Sequence, residues 1–317
     1  MNSPGWVKVN TAVNVKRTLL RFLTVRPVAP LLRYFSPVLR VVVPRKHLSR
    51  IPAAGEVVVA YSGWQQVRMH NNGSDSIATR IHWGGGAAFD QESIDLFLRL
   101  AQDSRVIFDI GANTGVYSLL AARNNPGAKV YAFEPVPSIR CEFERSIAIN
   151  GLINLKVSDL AISNSIGKSE FHIPNDFAAF PTSASLNREF RDHSSAILVS
   201  VTTLDEFVRQ NGVGRIDLMK IDTESTEHLV LAGASRTLTN DRPFIICEVL
   251  SDQDPKLLSE LLTPSNYSYF RITPDGLFQK KTPESDPRCE NLNNLFVPTE
   301  QISRLTNLSP NVILLRE

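Results

Sequence analysis

The stretch Val106-Ile-Phe-Asp-Ile-Gly-Ala-Asn-Thr-Gly-Val-Tyr-Ser-Leu-Leu-Ala-Ala122 decides how the rest of the chain is read. Val106 to Ile110 is a short apolar run of strand length. It meets Gly111 and Gly115, and a helical stretch from Val116 to Ala122 follows, closed by Asn124, Asn125, Pro126 and Gly127. Upstream, Ile94, Leu96, Phe97, Leu98 and Leu100 form an amphipathic run. Downstream, Val130 to Phe133 is a second buried-strand pattern ending in Glu134-Pro135, and a helix runs through Cys141 to Ile149 before Asn150-Gly151 stops it. Strand, helix, strand, helix predicts a parallel sheet covered by helices on both faces, with ligands gathered at the carboxyl ends of the strands.

The alternation continues more loosely. Leu155 to Leu160, Phe171 to Ile173 and Ile197 to Val201 read as strands around a polar, Ser-rich insert, Pro174 to Ser195, expected as a loop near the site. Ile216 to Ile221 forms a buried strand ending at Asp222, with a helix through Glu227 to Leu238. Phe244 to Glu248, Tyr267 to Ile272 and Asn294 to Val297 supply the last strands. With no repeat or low-complexity tract, residues 91–300 read as one domain, followed by a tail over 301–317. His82-Trp83-Gly84-Gly85-Gly86 lies in a segment, 56–90, expected to be a connector or a hinged lid.

Composition narrows the classes. The 317 residues are 43% hydrophobic and 21% charged, enough to close a sizeable core and unlike collagenous or wholly disordered chains. Cys141, Cys247 and Cys289 form no CxxC, which argues against a disulfide framework or a cysteine-built zinc site. The net charge of +2 hides a division: residues 1–55 carry ten Lys or Arg and no Asp or Glu, leaving 24 basic against 32 acidic side chains in the remaining 262. The main body is acidic, so no nucleic-acid partner is expected. The basic arm is broken by Pro27, Pro30, Pro37 and Pro44 and holds no uncharged run of about 18 residues, so it neither spans a bilayer nor ends in a signal-peptide pattern. It reads as a poorly ordered leader, a segment lying on an anionic membrane surface, or an Arg-rich transit peptide. The expected location is the cytoplasm, and peripheral membrane contact follows only on the membrane-surface reading of this arm.

The strand ends carry the chemistry. Asp109-x-Gly111-x-x-x-Gly115 suits a tight turn whose backbone N–H groups and following helix receive an anion, although glycine there also serves close packing of strand and helix. Glu134 ends the next strand, where a carboxylate accepts both hydroxyl hydrogens of a ribose or simply starts a helix beside Pro135. The turn is not GxGxxG, since Asn113 and Thr114 stand within a GxxxG spacing, so room for a pyrophosphate is less evident and an NAD-dependent oxidoreductase is a weaker reading. S-adenosylmethionine needs an acceptor for its amino group, donors for its carboxylate and a carboxylate for its ribose; Asp109, the Gly111–Gly115 backbone and Glu134 offer these. Asp222 and Glu224 close a further strand, with Glu227 and His228 one turn on and Glu248 closing the fifth. Asp222, Glu224 or His228 is a candidate general base for a hydroxyl acceptor, while the same residues also suit a helix start. Asp222, Glu224 and His228 lack diagnostic metal spacing, and no metal is predicted. Tyr117 reads as core.

Phe108-Asp-Ile-Gly-Ala-Asn-Thr-Gly115, Ala132-Phe-Glu-Pro135, Thr203-Leu-Asp-Glu-Phe207 and Leu218-Met-Lys-Ile-Asp-Thr-Glu224, followed by Leu231-Ala-Gly-Ala234, resemble the FkbM-type methyltransferases. The resemblance implies a Rossmann-like class I α/β fold with a mostly parallel seven-stranded sheet. It implies S-adenosylmethionine as cofactor, held by Asp109, Gly111, Asn113, Gly115 and Glu134, and O-methylation of a small metabolite or carbohydrate near Asp222, Glu224 and His228. It covers about residues 90–300 and departs from the family in one place: Ser225 stands where the family commonly has glycine. That departure and the basic arm motivate a rival reading, a methyltransferase-like binding or scaffold protein without turnover.

Overall fold

The computed structural model describes residues 36–43, 45–48, 51–174, 185–187, 193–286, 291–308 and 312–314. Most of the basic arm, most of the Ser-rich insert and Cys289 lie outside the described residues. Two short helices, α1 (Ser36–Val42) and α2 (Arg45–Leu48), precede a hairpin of β1 (Gly55–Val59) and β2 (Val67–Asn71) and the helix α3 (Ser76–Gly84). There follow α4 (Gln91–Gln102), β3 (Val106–Ile110), α5 (Val116–Asn124), β4 (Lys129–Phe133), α6 (Pro137–Asn150) and β5 (Leu155–Ser158). After β6 (Ala161–Ile162), β7 (Gly167–Pro174) and β8 (His193–Thr202), the chain alternates again: α7 (Leu204–Asn211), β9 (Leu218–Ile221), α8 (Glu227–Ala232), β10 (Phe244–Glu248) and α9 (Pro255–Leu262). It closes with β11 (Tyr267–Thr273), β12 (Gly276–Lys280), β13 (Asn293–Pro298), α10 (Leu305–Leu308) and β14 (Val312–Ile313).

The main sheet runs β14-β12-β11-β13-β10-β9-β3-β4-β5. Strands β10, β9, β3, β4 and β5 are mutually parallel, and β13 is antiparallel between β10 and β11. The seven strands from β5 to β11 make the expected sheet; β12 and β14 widen it to nine at the β11 edge. The runs read as strands at 171–173 and 197–201 belong to a separate three-stranded sheet, β6-β8-β7. Every residue of β3 and β9 is buried, which explains their unbroken apolar sequence: both faces are covered, so neither face needs polar residues. One cluster lies under α4 and α5, and another packs Phe207, Val230, Leu231 and Leu258 against the opposite face.

The segment 56–90 is not a loose connector. Val57, Val59, Val67 and Met69 alternate with outward residues and enter the same cluster as Leu119 and Leu120. Each such side chain contributes about 1.5–3 kcal/mol when buried, so the hairpin is held down firmly. It also explains why α5 is apolar on all sides, with Val116 to Ala122 buried: the sheet lies on one side and the hairpin and α4 cover the other. The outer edge of β2 is sealed by helix side chains. The Arg68 amide donates to Asn150 Oδ1 at 2.9 Å, Asn150 Nδ2 donates back to the Arg68 carbonyl at 2.6 Å, and the His70 amide donates to Ser146 Oγ at 2.9 Å. Both ends of the segment holding the glycine triplet are packed. Trp83 is buried with Leu48 and Ile51 and donates its indole N–H to the Ile51 carbonyl at 2.8 Å. A Cβ on Gly86 would collide with the Ala60 carbonyl oxygen, so close packing demands that glycine. No helix among the described residues is long and apolar enough to cross a membrane.

Candidate functional site

The carboxyl ends of β4, β3, β9 and β10, with the start of β13, border a cavity of about 410 Å³. Its floor begins at the turn after β3. Gly111 and Gly115 adopt φ of 79° and 87°, and Asn113 reaches 49° between them. A Cβ at Gly111 would strike the Asp222 backbone and one at Gly115 would strike the Phe143 ring, so both glycines are required twice over, by conformation and by space.

The amides of this turn are already committed. Gly111 and Ala112 donate to the Phe133 carbonyl at 3.1 and 3.0 Å, and Gly115 donates to the Ala112 carbonyl at 2.9 Å. Asn113 donates to Glu134 Oε2 at 3.1 Å and Thr114 to the Asn113 side chain at 2.8 Å. The anion cradle expected from the sequence is therefore not formed: glycine here permits the approach of β3, β4, β9 and α6, and the N–H groups are taken by the end of β4 and by the turn itself. A pyrophosphate finds no free donors across these five residues, which counts against the NAD reading.

Glu134 lines the cavity and is 5% exposed. Its Oε1 accepts the Val136 amide at 2.8 Å and its Oε2 the Asn113 amide, tying the tips of β4 and β3 together. Burial pushes its pKa up to about 7 although both amides favour the ionised form. Each oxygen keeps a lone pair for a further donor, the geometry a vicinal diol needs. Beyond it the wall turns apolar, with Val136, Ile139, Leu160, Ile162 and Phe171. Asp109 lies lower, 2% exposed, where Oδ2 accepts Ser118 Oγ at 2.6 Å and the Ser118 amide at 3.1 Å. It fastens α5 to the turn and borders a small side cavity beneath it rather than the main one, and burial pushes its pKa up to about 6.

Opposite stand the acids of β9 and β10. Carboxylate oxygens of Asp222, Glu224 and Glu248 lie within 4.8 Å of one another. Burial, then the charges of Asp222 and Glu224, push the Glu248 pKa well above the ordinary range. Lys220, 1% exposed, places Nζ 3.0 Å from Asp222 Oδ2 and 5.3 Å over the Tyr117 ring. Burial opposes this ammonium, yet Asp222, Glu248 and Asp90 hold its pKa above the ordinary lysine value. His228, on the first turn of α8, does not border the cavity, and burial lowers its pKa. The acids that converge are thus Asp222, Glu224 and Glu248, not Asp222, Glu224 and His228.

The turn after β9 holds Glu224 and Ser225 at φ of 55° and 74°, both left-handed without glycine. Ser225 occupies the place of the family's glycine in the conformation that favours glycine. Its hydroxyl donates to Asp252 at 2.6 Å, and Ser185, returning from the insert, donates to the Glu224 carbonyl at 2.5 Å. Fully buried Glu227 accepts the Thr223 amide at 2.6 Å and contacts Gln253.

The upstream segment completes the wall. Asp75 caps α3, accepting the Ile77 and Ala78 amides, and its second oxygen accepts Thr114 Oγ1 at 2.7 Å, which pins this helix to the glycine turn. Arg80 and Asp90 thereby border the cavity. Sequence reasoning missed both, together with Lys220 and Asn293. The alternation in β1 and β2 was the available sign that this segment is folded.

An acid-lined cleft at the carboxyl ends of a doubly wound sheet, with a carboxylate at the tip of the second parallel strand and no free phosphate donors in the turn before it, defines an α/β protein whose ligand cleft lies where such sheets gather their ligands. A model described as the methyltransferase FkbM domain matches residues 109–269, about half of the chain, and the protein belongs to that family. The chain is 29% identical over 153 residues to 31-O-demethyl-FK506 methyltransferase FkbM of Streptomyces tacrolimicus, covering 40% of this chain and 58% of that protein. It is 30% identical over 167 residues to the 2-O-methyltransferase NoeI of Sinorhizobium fredii, covering 49% and 67%. With the hexuronic acid methyltransferase AglP of Haloferax volcanii it shares 28% identity over 181 residues, covering 56% and 70%. The chain thus spans between somewhat over half and about two thirds of the length of these relatives.

Proposed function

We propose that the protein transfers the methyl group of S-adenosylmethionine to a hydroxyl of a small metabolite or carbohydrate. The observation that carries this reading is Glu134: a buried carboxylate, fixed by two amides, bordering a cavity beside a turn without free phosphate donors. In this reading Glu134 accepts the ribose hydroxyls, the apolar wall of Val136, Ile139, Leu160 and Ile162 receives the base, and Gly111, Asn113 and Gly115 shape the floor, with Asp109 fastening α5 behind them. When bound, the cofactor supplies an electrophilic methyl on a sulfonium centre. The cationic centre suits a cleft rich in carboxylates.

The chain's own residues then orient the acceptor and take its proton. Lys220 holds Asp222 by Oδ2, which leaves Oδ1 for the acceptor hydroxyl. Asp222 serves as base, and Glu224, crowded beside it, aligns a further hydroxyl of the acceptor. His228 has no part in the step. The relatives named above, acting on 31-O-demethyl-FK506, at an O-2 position and on a hexuronic acid by their names, support an oxygen acceptor in a small molecule or sugar.

Calorimetric titration with S-adenosylhomocysteine, S-adenosylmethionine and NAD, repeated on Glu134→Ala, tests the reading. Micromolar binding of the first two, weakened by the substitution, is the expected result. Binding of NAD alone would overturn it, and cofactor binding with no transfer to any hydroxyl acceptor would favour a scaffold.

A further inference from the structure

The sequence assigns the cofactor's amino group to Asp109 and its carboxylate to the amides of the glycine turn; in the structure those amides are engaged by Phe133, Glu134 and the turn itself, and Asp109 accepts the Ser118 amide and hydroxyl at the start of α5. A zwitterion therefore needs another pair of partners. Accepting the cofactor assigned above, we infer that its amino-acid end is read by the segment upstream of the family region, with Asp90 receiving the ammonium and Arg80 the carboxylate.

Asp90 stands at the N-cap position of α4, where aspartate ordinarily accepts a helix amide, yet no such bond forms. The backbone is left-handed instead, φ 42° and ψ 37°, and the side chain turns to the cavity. There Oδ2 accepts the Tyr117 hydroxyl at 3.1 Å and Asn293 Nδ2 at 3.3 Å, while Oδ1 accepts no hydrogen bond among the described residues. Two more acceptors wait beside it. Asn293 is 8% exposed, and its Oδ1 is buried with no partner; Glu248, its register neighbour across β10 and β13, has Oε2 in the same state. Asp90, Asn293 and Glu248 all border the cavity. Three acceptors lacking donors match an ammonium, which has three donors and no acceptor.

The carboxylate end follows from charge. Arg80 is the one Lys or Arg among the described residues bordering the cavity. One of its N–H groups donates to the Ala88 carbonyl at 2.9 Å and its guanidinium lies 5.7 Å from the Phe89 ring centroid, which holds the group at the rim while other N–H donors remain for an anion. Arg80 and Asp90 sit ten residues apart on a segment pinned to the glycine turn through Asp75 and Thr114.

The test compares S-adenosylhomocysteine, which carries the amino-acid arm, with 5′-methylthioadenosine, which lacks it, by calorimetry on the full chain. Wild type is expected to bind the former more tightly. Asp90→Asn keeps shape and tolerates a left-handed backbone, and Arg80→Gln removes the cation; each is expected to weaken S-adenosylhomocysteine roughly tenfold or more while leaving 5′-methylthioadenosine and the melting temperature unchanged. Unchanged S-adenosylhomocysteine affinity in a variant overturns the role of that residue, and equal weakening of both nucleosides overturns the assignment to the amino-acid end. Failure of wild type to bind either nucleoside removes the cofactor reading itself, a distinct outcome.

Discussion

Two turns border the cleft, and they reach similar backbone conformations by different means. After β3 the positive φ values at 111 and 115 fall on glycine, and the turn's amides donate to Phe133, Glu134 and the turn itself. After β9 they fall on Glu224 and Ser225, and side chains hold them: Ser225 to Asp252, Ser185 to the Glu224 carbonyl, Glu227 to the Thr223 amide. Both turns are clamped by a buried glutamate, Glu134 for the first and Glu227 for the second. The glycine turn is crowded by the Asp222 backbone and the Phe143 ring and carries one left-handed non-glycine, Asn113; the β9 turn carries two, Glu224 and Ser225, and depends on neighbours to hold them. A site can therefore replace glycine where a side chain fits, provided that hydrogen bonds offset the strain, but not where another backbone fills the space of the Cβ.

The largest effect expected from this contrast is at Gly111. Gly111→Ala forces a left-handed alanine against the Asp222 backbone and should lower unfolding stability by about 3 kcal/mol, read as a shifted denaturant midpoint, and abolish S-adenosylhomocysteine binding. A tolerated alanine would break the comparison at its first limb.

Acidity probes the two clamps together. Burial raises Glu134 and Glu227 from 4.5 to about 7 and Asp109 from 3.8 to about 6. A carboxyl raised in the folded state binds its proton more tightly there, so its contribution is fully present below the unfolded value and is lost as pH rises through the folded one. From these groups, melting temperature is expected to fall between about pH 4.5 and pH 7, and Glu227→Gln, which stays neutral, should flatten that slope. Cofactor affinity should move the other way, weakening below pH 7 as Glu134 loses the charge that accepts two hydroxyls; calorimetry at pH 6 and pH 8 checks this.

Smaller effects separate strain from its support. Asp252→Ala should cost about 1 kcal/mol by releasing the Ser225 hydroxyl. Ser225→Gly should be close to neutral, since relief of about 1 kcal/mol of left-handed strain offsets the lost bond, and in that background Asp252→Ala should be silent. A double-mutant cycle in denaturant measures the coupling. Equal cost of Asp252→Ala in both backgrounds would mean that the bond does not support the turn.

Much of the fold was legible because its causes are local. Unbroken apolar runs at Val106–Ile110 and Leu218–Ile221 announce strands covered on both faces, and Gly111 and Gly115 announce a turn. Asp222 and Glu224 were legible as strand-end acids for the same reason. The upstream hairpin was misread because each half is only five residues long and its alternation competes with polar neighbours; only its packing against α5 and α6 makes it part of the core. The expected seven-stranded sheet became nine because edge strands β12 and β14 are defined by pairing rather than by a strong pattern of their own.

The sequence by itself determined the order of the central strands and helices from β3 to β5 and from β9 to β10, the glycine turn, Glu134 at the tip of β4 and the acids after β9, since periodicity, turn chemistry and strand length act over a few neighbouring residues. Only the tertiary structure decided that the turn's amides face inward, that Glu248 rather than His228 joins Asp222 and Glu224, and that Asp90 meets Asn293 from 203 residues away. Those facts depend on how a twisted sheet brings distant strand ends together. A side chain's partner is then set by packing across the sheet, which spacing along the chain does not record.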